Sequence, residues 1–326
     1  MLITAAYTEF QRFLIIFAGK KMDNSNQRNL VIAWSILIGL AVIWGTSFIL
    51  IKRGLEYFSS TEVGALRISI AFLVLSPIAL SRIRKITWRE WKLFALVGLI
   101  GSGFPAFLFA KAQTGIDSSL AGILNSLTPL FTMIVGLSFF SLKTKWFNIA
   151  GVMIGLAGAI GLISISGGKG FEFNFQYAVY IIIATICYAI NVNVVKYKLK
   201  ETDALTITAF SFFTIGIPVL LYLFIFTDFL SQMASEPEAM KGLGYIGILA
   251  VVGTGLALIA FNKLVKLASP VFAASVTYLI PIVAVIWGAI DSEKMETLSF
   301  VWMGVILLGI FLVNKKKLIP GPEKAK

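Results

Sequence analysis

Long apolar segments, separated only by short polar stretches, dominate this chain of 326 residues and limit what it can fold into. Hydrophobic residues make up 58% of the sequence and charged residues 13%, whereas soluble domains average about 45–50% and 25%. About 20 apolar residues span a bilayer as a helix. We therefore predict an all-α integral membrane protein and exclude a water-soluble fold.

Apolar runs bounded by charged or turn residues predict ten transmembrane helices. Some connections, such as Ser141 to Lys145, have room only for a tight turn between antiparallel helices. Five prolines fall inside the runs, which bilayer helices tolerate when neighbouring groups satisfy the freed carbonyls. The predicted spans are 31–51, 63–81, 93–112, 118–140, 146–165, 175–195, 204–226, 243–262, 270–290 and 298–314. The prolines are Pro77, Pro105, Pro129, Pro218 and Pro281.

Basic residues are distributed unevenly between the two sides that ten spans create. With the N-terminus inside, most of the 28 lysines and arginines fall on the cytoplasmic side, where loops are enriched in them. We therefore predict that both termini, residues 1–30 and the basic tail 315–326, are cytoplasmic. The net charge of +12 follows from this asymmetry and suits contact with anionic membrane lipid, so no nucleic-acid partner is predicted.

The first 21 residues can be read in two ways. The apolar stretch Phe13 to Ala18 is too short to span a bilayer, and no small-residue cleavage site marks a signal peptide. Met22 opens a second plausible start, so residues 1–21 are either an upstream start-site artefact or a dispensable tail. Both interpretations predict that membrane insertion does not need them.

The second half of the chain repeats the first. A shift of 152 residues places Gly101-Ser102-Gly103 on Gly253-Thr254-Gly255 and Pro129 on Pro281. Because each unit has five spans, an odd number, the second copy must cross the membrane in the opposite direction. We predict two inverted five-helix repeats, residues 31–165 and 175–314, around a central cavity, as in many secondary transporters. A chance echo of glycine and proline among apolar helices is the alternative.

Three segments carry a resemblance to a known family: Trp44 to Lys52 (WGTSFILIK), Leu66 to Ile68 (LRI), and Ser119 to Thr132 (SLAGILNSLTPLFT). They resemble the EamA-like permeases of the drug/metabolite transporter superfamily, and the resemblance covers about residues 31 to 314. It implies a multi-pass carrier in the bacterial inner (cytoplasmic) membrane. Such a carrier moves small metabolites, often amino acids and commonly outward, through a central cavity lined by both repeats.

One loop departs from the family pattern. Many members carry an acidic residue after the fourth helix of each repeat, but here residues 141–145 read Ser-Leu-Lys-Thr-Lys. The second repeat keeps Glu293 and Glu296 in its equivalent loop. We interpret the loss in the first repeat as loosening an interfacial contact rather than removing a substrate ligand.

Arg67 is the only charged residue well inside a predicted span, and such a charge by default indicates a function. It could hold a substrate carboxylate or phosphate through paired hydrogen bonds. Alternatively, its stem snorkels towards the membrane surface and its charge pairs with Glu62 or Glu56. Lys111 and Lys263 end equivalent spans, where they either attract substrates at the two mouths or reach lipid phosphates.

The other candidates are polar and aromatic residues at repeat-related positions near the middle of the spans. Some precede a proline, which exposes a backbone carbonyl one turn earlier. Others combine aromatic walls with polar groups, as small-molecule sites do. Helix–helix hydrogen bonds and aromatic packing are the alternatives. The predicted substrate-binding residues are Trp44, Ser47, Arg67, Asn125, Thr128, Tyr188, Asn191, Lys263, Thr277 and Tyr278.

Several residue types needed for catalysis or metal binding are missing. The chain has no histidine, and its single Cys187 excludes a thiolate metal cluster, so neither a metal nor a cofactor is predicted. No Asp or Glu falls within a predicted span, which argues against a membrane-embedded enzyme and against an intramembrane proton relay. We expect facilitated diffusion, or ion coupling through a group at a mouth such as Asp117 or Glu62. A channel would not require inverted duplication and lacks a recognisable filter.

Glycines in the fifth and tenth predicted spans are interpreted as packing positions, because small residues let backbones approach closely. They would bring these two spans together or support a homodimer. The glycines are Gly151, Gly155, Gly158, Gly161, Gly304 and Gly309.

The sequence therefore predicts a secondary transporter of small metabolites that works by alternating access. Export of amino acids or related compounds is the leading hypothesis. Import or bidirectional movement of organic anions or other small metabolites is the alternative.

The inverted repeat predicts that the loops after Lys111 and Lys263 lie on opposite sides of the membrane. Single cysteines at Thr114 and Ala268, in a Cys187→Ser background, should react with an impermeant maleimide from opposite sides of intact cells. Labelling after permeabilisation controls for intrinsic reactivity. Labelling of both sites from one side would contradict the repeat.

Overall fold

The structure, a computed structural model, describes residues 24–140, 146–165, 171–267, 270–293 and 297–314. Within these ranges the chain forms helices and turns and no strand. The helices are α1 Asn24–Leu55, α2 Ser60–Arg82, α3 Trp88–Gly98, α4 Phe104–Ala112, α5 Ser118–Asn125, α6 Thr128–Phe139, α7 Trp146–Ile165, α8 Phe171–Lys198, α9 Ala204–Phe226, α10 Phe229–Ser235, α11 Ala239–Ala250, α12 Ala257–Leu267, α13 Pro270–Ala274, α14 Ile280–Ile290 and α15 Thr297–Asn314. Residues 1–23, the 141–145 loop, Glu296 and the 315–326 tail lie outside the described residues.

Eight helical segments of the described chain are long and apolar enough to cross a membrane. They make the protein an all-helical, multi-pass membrane protein. Two further helices, α7 and α15, occupy the predicted spans 146–165 and 298–314 and pack against each other. The eight segments are Val31–Leu55, Ser60–Arg82, Trp88–Ala112, Ser118–Phe139, Gln176–Lys198, Ala204–Phe226, Ala239–Leu267 and Phe272–Ile290.

Four of the long segments change their helical geometry near the middle. Leu99–Gly103 and Val251–Leu256 are π-helical turns, and they fall at positions related by the 152-residue shift. A short 3₁₀ segment, Ser275–Tyr278, precedes α14, and a turn at Ser126 precedes α6. Irregular turns of this kind are frequent at functional sites, because they free backbone groups and re-aim side chains.

The prolines explain where several of these breaks lie. Pro105, Pro129 and Pro281 stand in the first turns of α4, α6 and α14, where the missing N–H has no intrahelical acceptor to lose. Pro77 and Pro218 lie inside α2 and α9. Three of the five prolines thus begin a helix rather than interrupt one.

The start of α2 corrects one sequence-based expectation. Ser59 and Glu62 form a capping box, so the helix begins at Ser60, three residues before the predicted span. Glu62 therefore lies inside a candidate membrane span and is 1% exposed. The prediction that no acidic residue falls within a span is wrong, because a carboxylate that caps its own helix can sit in the first turn.

Helices of the first half pack chiefly against helices of the second. The most extensive contacts join α7 to α15, α2 to α9, α4 to α8 and α6 to α8. Large aromatic side chains fill the space between them; Phe94, Phe210 and Phe212 are fully buried. The two halves therefore form one interlocked bundle.

The contact between α7 and α15 depends on glycine. A Cβ added to Gly309 would lie 2.4 Å from the backbone nitrogen of Gly155 and 2.6 Å from the carbonyl oxygen of Gly151. Gly304, on an exposed face of α15, has no atom within 4 Å of the added Cβ. The packing interpretation of these glycines therefore holds at Gly309, while the homodimer stays a prediction.

Substituting these two glycines should have opposite effects on thermal stability. Gly309→Ala forces two backbones apart and should lower the free energy of unfolding by about 1–3 kcal/mol. Gly304→Ala meets no neighbour and should be neutral or slightly stabilising, because alanine favours a helix. Thermal unfolding of the purified variants in detergent measures both. Equal midpoints for the two variants would contradict the close approach.

Candidate functional site

A cavity opens between the two halves near the middle of the bundle, with about 900 Å³ of empty space, part of it open to the outside. Aromatic, aliphatic and polar side chains from both halves line it, together with the two π-turns. The lining residues are Trp44, Ser47, Phe48, Ile51, Arg67, Ile68, Gly101, Ser102, Ala106, Phe109, Asn125, Thr128, Tyr188, Asn191, Val192, Phe212, Gly253, Thr254, Leu258, Phe261, Ala274, Val276 and Thr277.

Arg67 is held in this cavity by the opposite half of the protein. Its Nε donates a hydrogen bond of 2.7 Å to Oγ1 of Thr254. The Thr254 hydroxyl in turn donates to the carbonyl oxygen of Leu249, at 3.0 Å, across the π-turn. The π-turn thus orients Thr254, and Thr254 fixes one edge of the guanidinium.

The structure does not show the ion pairs that sequence reasoning offered as an alternative for Arg67. Glu62 accepts hydrogen bonds from the backbone N–H and hydroxyl of Ser59, and Glu56 pairs with Arg53. Within the described part of the chain, no carboxylate lies within ion-pair distance of the Arg67 guanidinium. Its charge faces the cavity without a partner of opposite sign.

Each π-turn packs tightly against a helix of the other half. A Cβ on Gly101 would lie 2.7 Å from the Asn191 side chain, and one on Gly253 would lie 2.9 Å from Oγ of Ser47. The indole N–H of Trp44 donates to the carbonyl oxygen of Gly253 at 2.9 Å. Glycine at these two positions lets polar side chains of the opposite half approach the freed backbone.

Two aromatic pairs form the cavity walls in the same repeat-related way. The rings of Trp44 and Phe261 are 5.1 Å apart, and those of Phe109 and Tyr188 are 6.0 Å apart. The 152-residue shift relates the two phenylalanines, and a 144-residue shift relates Trp44 to Tyr188. The two walls therefore pair residues related by these shifts, with the rings tilted by 59° in the first pair and stacked at 23° in the second.

Eight of the ten predicted site residues line this one cavity. Asn125, Thr128 and Thr277 reach it from the segments beside the proline breaks. Lys263 lies on an exposed face of α12, and Tyr278 packs against the hydrophobic core; neither is among the lining residues. The role of all ten residues in binding stays a prediction.

Sequence reasoning missed several lining residues. Gly101, Ser102, Gly253 and Thr254 were recognised as a repeated element but were not assigned to the site. Their repetition at equivalent positions was the available signal. Apolar residues such as Phe212 carried no signal, because apolar side chains fill every span.

A cluster of charges ties the halves together where α1 ends and α5 begins, which we call the Lys52 end. Lys52 Nζ lies 2.6 Å from Oδ2 of Asp291 and 2.8 Å from Oε1 of Glu293. Arg53 pairs with Asp291 and Glu56. The cluster therefore joins the end of a first-half helix to the loop that follows α14.

Local backbone geometry presents Glu293 to this cluster. Ser292 has a φ of 58°, and the N–H of Glu293 bonds back to the carbonyl oxygen of Gly288 at 2.9 Å, which ends α14 in a left-handed cap. The Glu293 carboxylate then accepts hydrogen bonds from the hydroxyl of Ser118 at 2.6 Å and from the N–H of Ser119 at 3.2 Å. The carboxylate thus sits at the N-terminus of α5, where the helix dipole favours a negative charge.

These contacts control ionisation at the Lys52 end. Burial opposes the charge on Glu293, but hydrogen bonds from Lys52, Ser118 and Ser119 outweigh it and lower the Glu293 pKa to about 2. Burial and the negative charge of Glu293 raise the pKa of Asp117. The Glu293 carboxylate therefore stays charged at physiological pH.

At the opposite end of the bundle, a smaller contact joins the halves. Arg82, at the end of α2, donates to the carboxylate of Asp203 at 3.0 Å and to Thr206. Burial opposes the charge on Asp203, but bonds from Thr206 and Arg82 lower its pKa. This pair is more exposed than the pair formed by Lys52 and Glu293.

The chain matches the EamA-like transporter family over residues 31–164 and 176–315. The "Uncharacterized inner membrane transporter YedA" of Escherichia coli strain K12 is 26% identical over 89% of this chain and 93% of its own length. A solved structure, described as "Crystal structure of protein", superposes with a TM-score of 0.64 at 15% identity, over 87% of this chain and 97% of that one. That likeness concerns the fold alone.

Two partial relatives have names that state a cargo. The "Probable terminal-alkyne amino-acid exporter" of Streptantibioticus cattleyicolor is 24% identical over 41% of this chain and 45% of its own. The "Probable amino-acid metabolite efflux pump" of Salmonella typhimurium is 28% identical over 39% of this chain and 41% of its own.

The Lys52 end predicts a pH dependence of stability. Because folding lowers the Glu293 pKa from its ordinary value of 4.5 to about 2, the stabilisation is present above pH 4.5 and is lost as the pH falls towards 2. The full effect is about 3 kcal/mol. Glu293→Gln should lower the thermal midpoint at pH 7 and remove this contribution to acid destabilisation.

Glu238→Gln is the matched control, because Glu238 belongs to an exposed ion pair with Lys241. Its midpoint should follow that of the unsubstituted protein across the whole pH range. A Glu293→Gln protein with an unchanged acid profile would show that the Lys52 end does not stabilise the fold.

Proposed function

We propose that this chain, which belongs to the EamA-like transporter family, is a secondary carrier that moves small metabolites by alternating access around its central cavity. The observation that carries the proposal is the cavity itself, which is lined by both halves through repeat-related contacts. A site between two similar halves can be exposed to either side when one half rocks against the other.

The proposal includes ten spans in two inverted repeats, residues 31–165 and 175–314. Equivalent π-turns, equivalent glycine contacts and equivalent aromatic pairs support it. Helices α7 and α15, paired with each other, would be the fifth and tenth spans. With the termini in the cytoplasm of a bacterium, the Lys52 end faces outward.

The proposed cargo is amino acids or related metabolites, and the proposed direction is outward. The names of the two partial relatives favour this cargo, and the inner-membrane relative favours this location. Membership of a transporter family argues against catalysis. We include membrane lipid as a partner, and a homodimer formed through α7 and α15 as a further proposal.

Import or bidirectional movement is the second candidate, favoured by the unpaired Arg67 charge, which would attract organic anions from either side.

Entrance counterflow tests the carrier mechanism directly. Purified protein in liposomes loaded with an unlabelled solute should transiently accumulate the labelled solute above its equilibrium level. A panel of amino acids, dipeptides and organic anions gives the cargo. Gly101→Val fills the space beside Asn191 and should abolish counterflow, whereas Gly247→Ala, with no atom within 4 Å of its added Cβ, should preserve it. Non-saturable flux without counterflow would identify a channel instead.

A further inference from the structure

We propose that the cavity recognises a carboxylate and disfavours an ammonium group. The preferred occupant is a small monocarboxylate with an aromatic or apolar body, which is an amino-acid-related compound whose amino group is absent or uncharged. The inference rests on the proposed function, because it takes the cavity as the transport site and names the charge of its cargo.

The first support is the charge balance of the cavity. Arg67 is the only charged residue among the described residues that line it. Its Nε donates to Thr254, whereas its two terminal nitrogens donate no hydrogen bond to the described residues. A lone cation in the apolar middle of a membrane costs several kcal/mol. A bound carboxylate would accept two parallel hydrogen bonds from these nitrogens and neutralise the charge.

The second support is that the described lining residues supply no negative charge to balance an ammonium ion. An ammonium carries three donors and loses its hydration on entering the cavity, so it needs several acceptors and a negative charge. The described lining residues include no Asp or Glu. Oδ1 of Asn191 is buried without a hydrogen-bond partner, and like the lining hydroxyl oxygens it is a neutral acceptor. Neutral oxygens supply no negative charge, and the Arg67 cation in the same cavity repels a second positive charge.

The lining hydroxyl groups do not change this balance. Four of them donate to backbone carbonyl oxygens, so towards a ligand they present neutral acceptor oxygens, which supply no negative charge. The bonds run from Ser47 to Ile43 at 3.0 Å, from Thr128 to Asn125 at 2.8 Å, from Thr254 to Leu249 at 3.0 Å and from Thr277 to Ala274 at 2.9 Å. The walls formed by Trp44, Phe109, Tyr188 and Phe261 then suit the apolar body of the ligand.

Three compounds that share a phenylethyl group and differ in their charged groups test the proposal. They are 3-phenylpropionate, which has only the carboxylate, L-phenylalanine, which has both groups, and 2-phenylethylamine, which has only the ammonium. Ligand-dependent thermal stabilisation of the purified protein at pH 7.5 gives their apparent affinities. We expect 3-phenylpropionate to bind at least tenfold more tightly than L-phenylalanine, and 2-phenylethylamine not to bind.

Arg67→Gln should weaken the binding of 3-phenylpropionate at least tenfold, so that it no longer binds more tightly than L-phenylalanine. Without ligand, this variant should unfold at the same temperature as the unsubstituted protein or higher, because the substitution removes an uncompensated buried charge. The thermal midpoint without ligand therefore distinguishes misfolding from a loss of ligand binding. Lys241→Gln removes an equal charge from an exposed position and should leave all three affinities unchanged.

Equal or tighter binding of L-phenylalanine, no response to any of the three compounds, or an unchanged preference in Arg67→Gln would each overturn the proposal. Binding of 3-phenylpropionate without counterflow of any solute would keep this inference and refute the carrier mechanism. Counterflow of L-phenylalanine, with 3-phenylpropionate and L-phenylalanine binding equally tightly, would refute this inference and keep the carrier mechanism.

Discussion

One uncompensated positive charge in the middle of an apolar bundle is the constraint on which the site depends. Because a buried charge is costly in a membrane, an arginine at this depth is expected either to extend to the membrane surface or to pair with an acid. Instead its Nε donates a hydrogen bond to Thr254 of the other half, and the residue lines the cavity. The fold thus holds a group whose stabilisation is incomplete without a ligand. That is the property expected of a binding site rather than of a structural core.

The two halves make equivalent contacts at the centre but different contacts at the ends. Around the cavity, the pair Trp44 and Phe261 mirrors the pair Tyr188 and Phe109. At the Lys52 end, a buried carboxylate, Glu293, binds a lysine and the N-terminus of a helix. The equivalent loop of the first repeat, 141–145, contains no acid, so its sequence cannot supply the same group. In the proposed carrier, a symmetric centre would keep one site usable from both sides, and chemically different ends would give the two closed states different stabilities and different responses to pH.

Much of this arrangement was predictable because periodic, local signals encode it. The lengths of the apolar runs predicted where the helices lie, and the eight candidate spans of the structure agree with eight of the ten predicted spans. The repeat and the proline breaks drew attention to Asn125, Thr128 and Thr277, which do line the cavity. The start of α2 was misplaced because a capping box was not recognised, and with it the burial of Glu62 was missed. Lys263 was placed at a mouth from its position in the chain, yet it does not line the cavity.

The sequence by itself determined the membrane class, the helical content and the duplicated plan, because each depends on residue type and spacing along the chain. Only the tertiary structure decided which polar groups keep a free bonding position. In the sequence, Glu62 and Glu56 were both plausible partners of Arg67. In the structure, Glu62 accepts hydrogen bonds from Ser59 and Glu56 pairs with Arg53, so neither acid pairs with Arg67. The physical reason is that a hydrogen bond between α2 and a π-turn 187 residues later depends on how two halves meet, which no local pattern records.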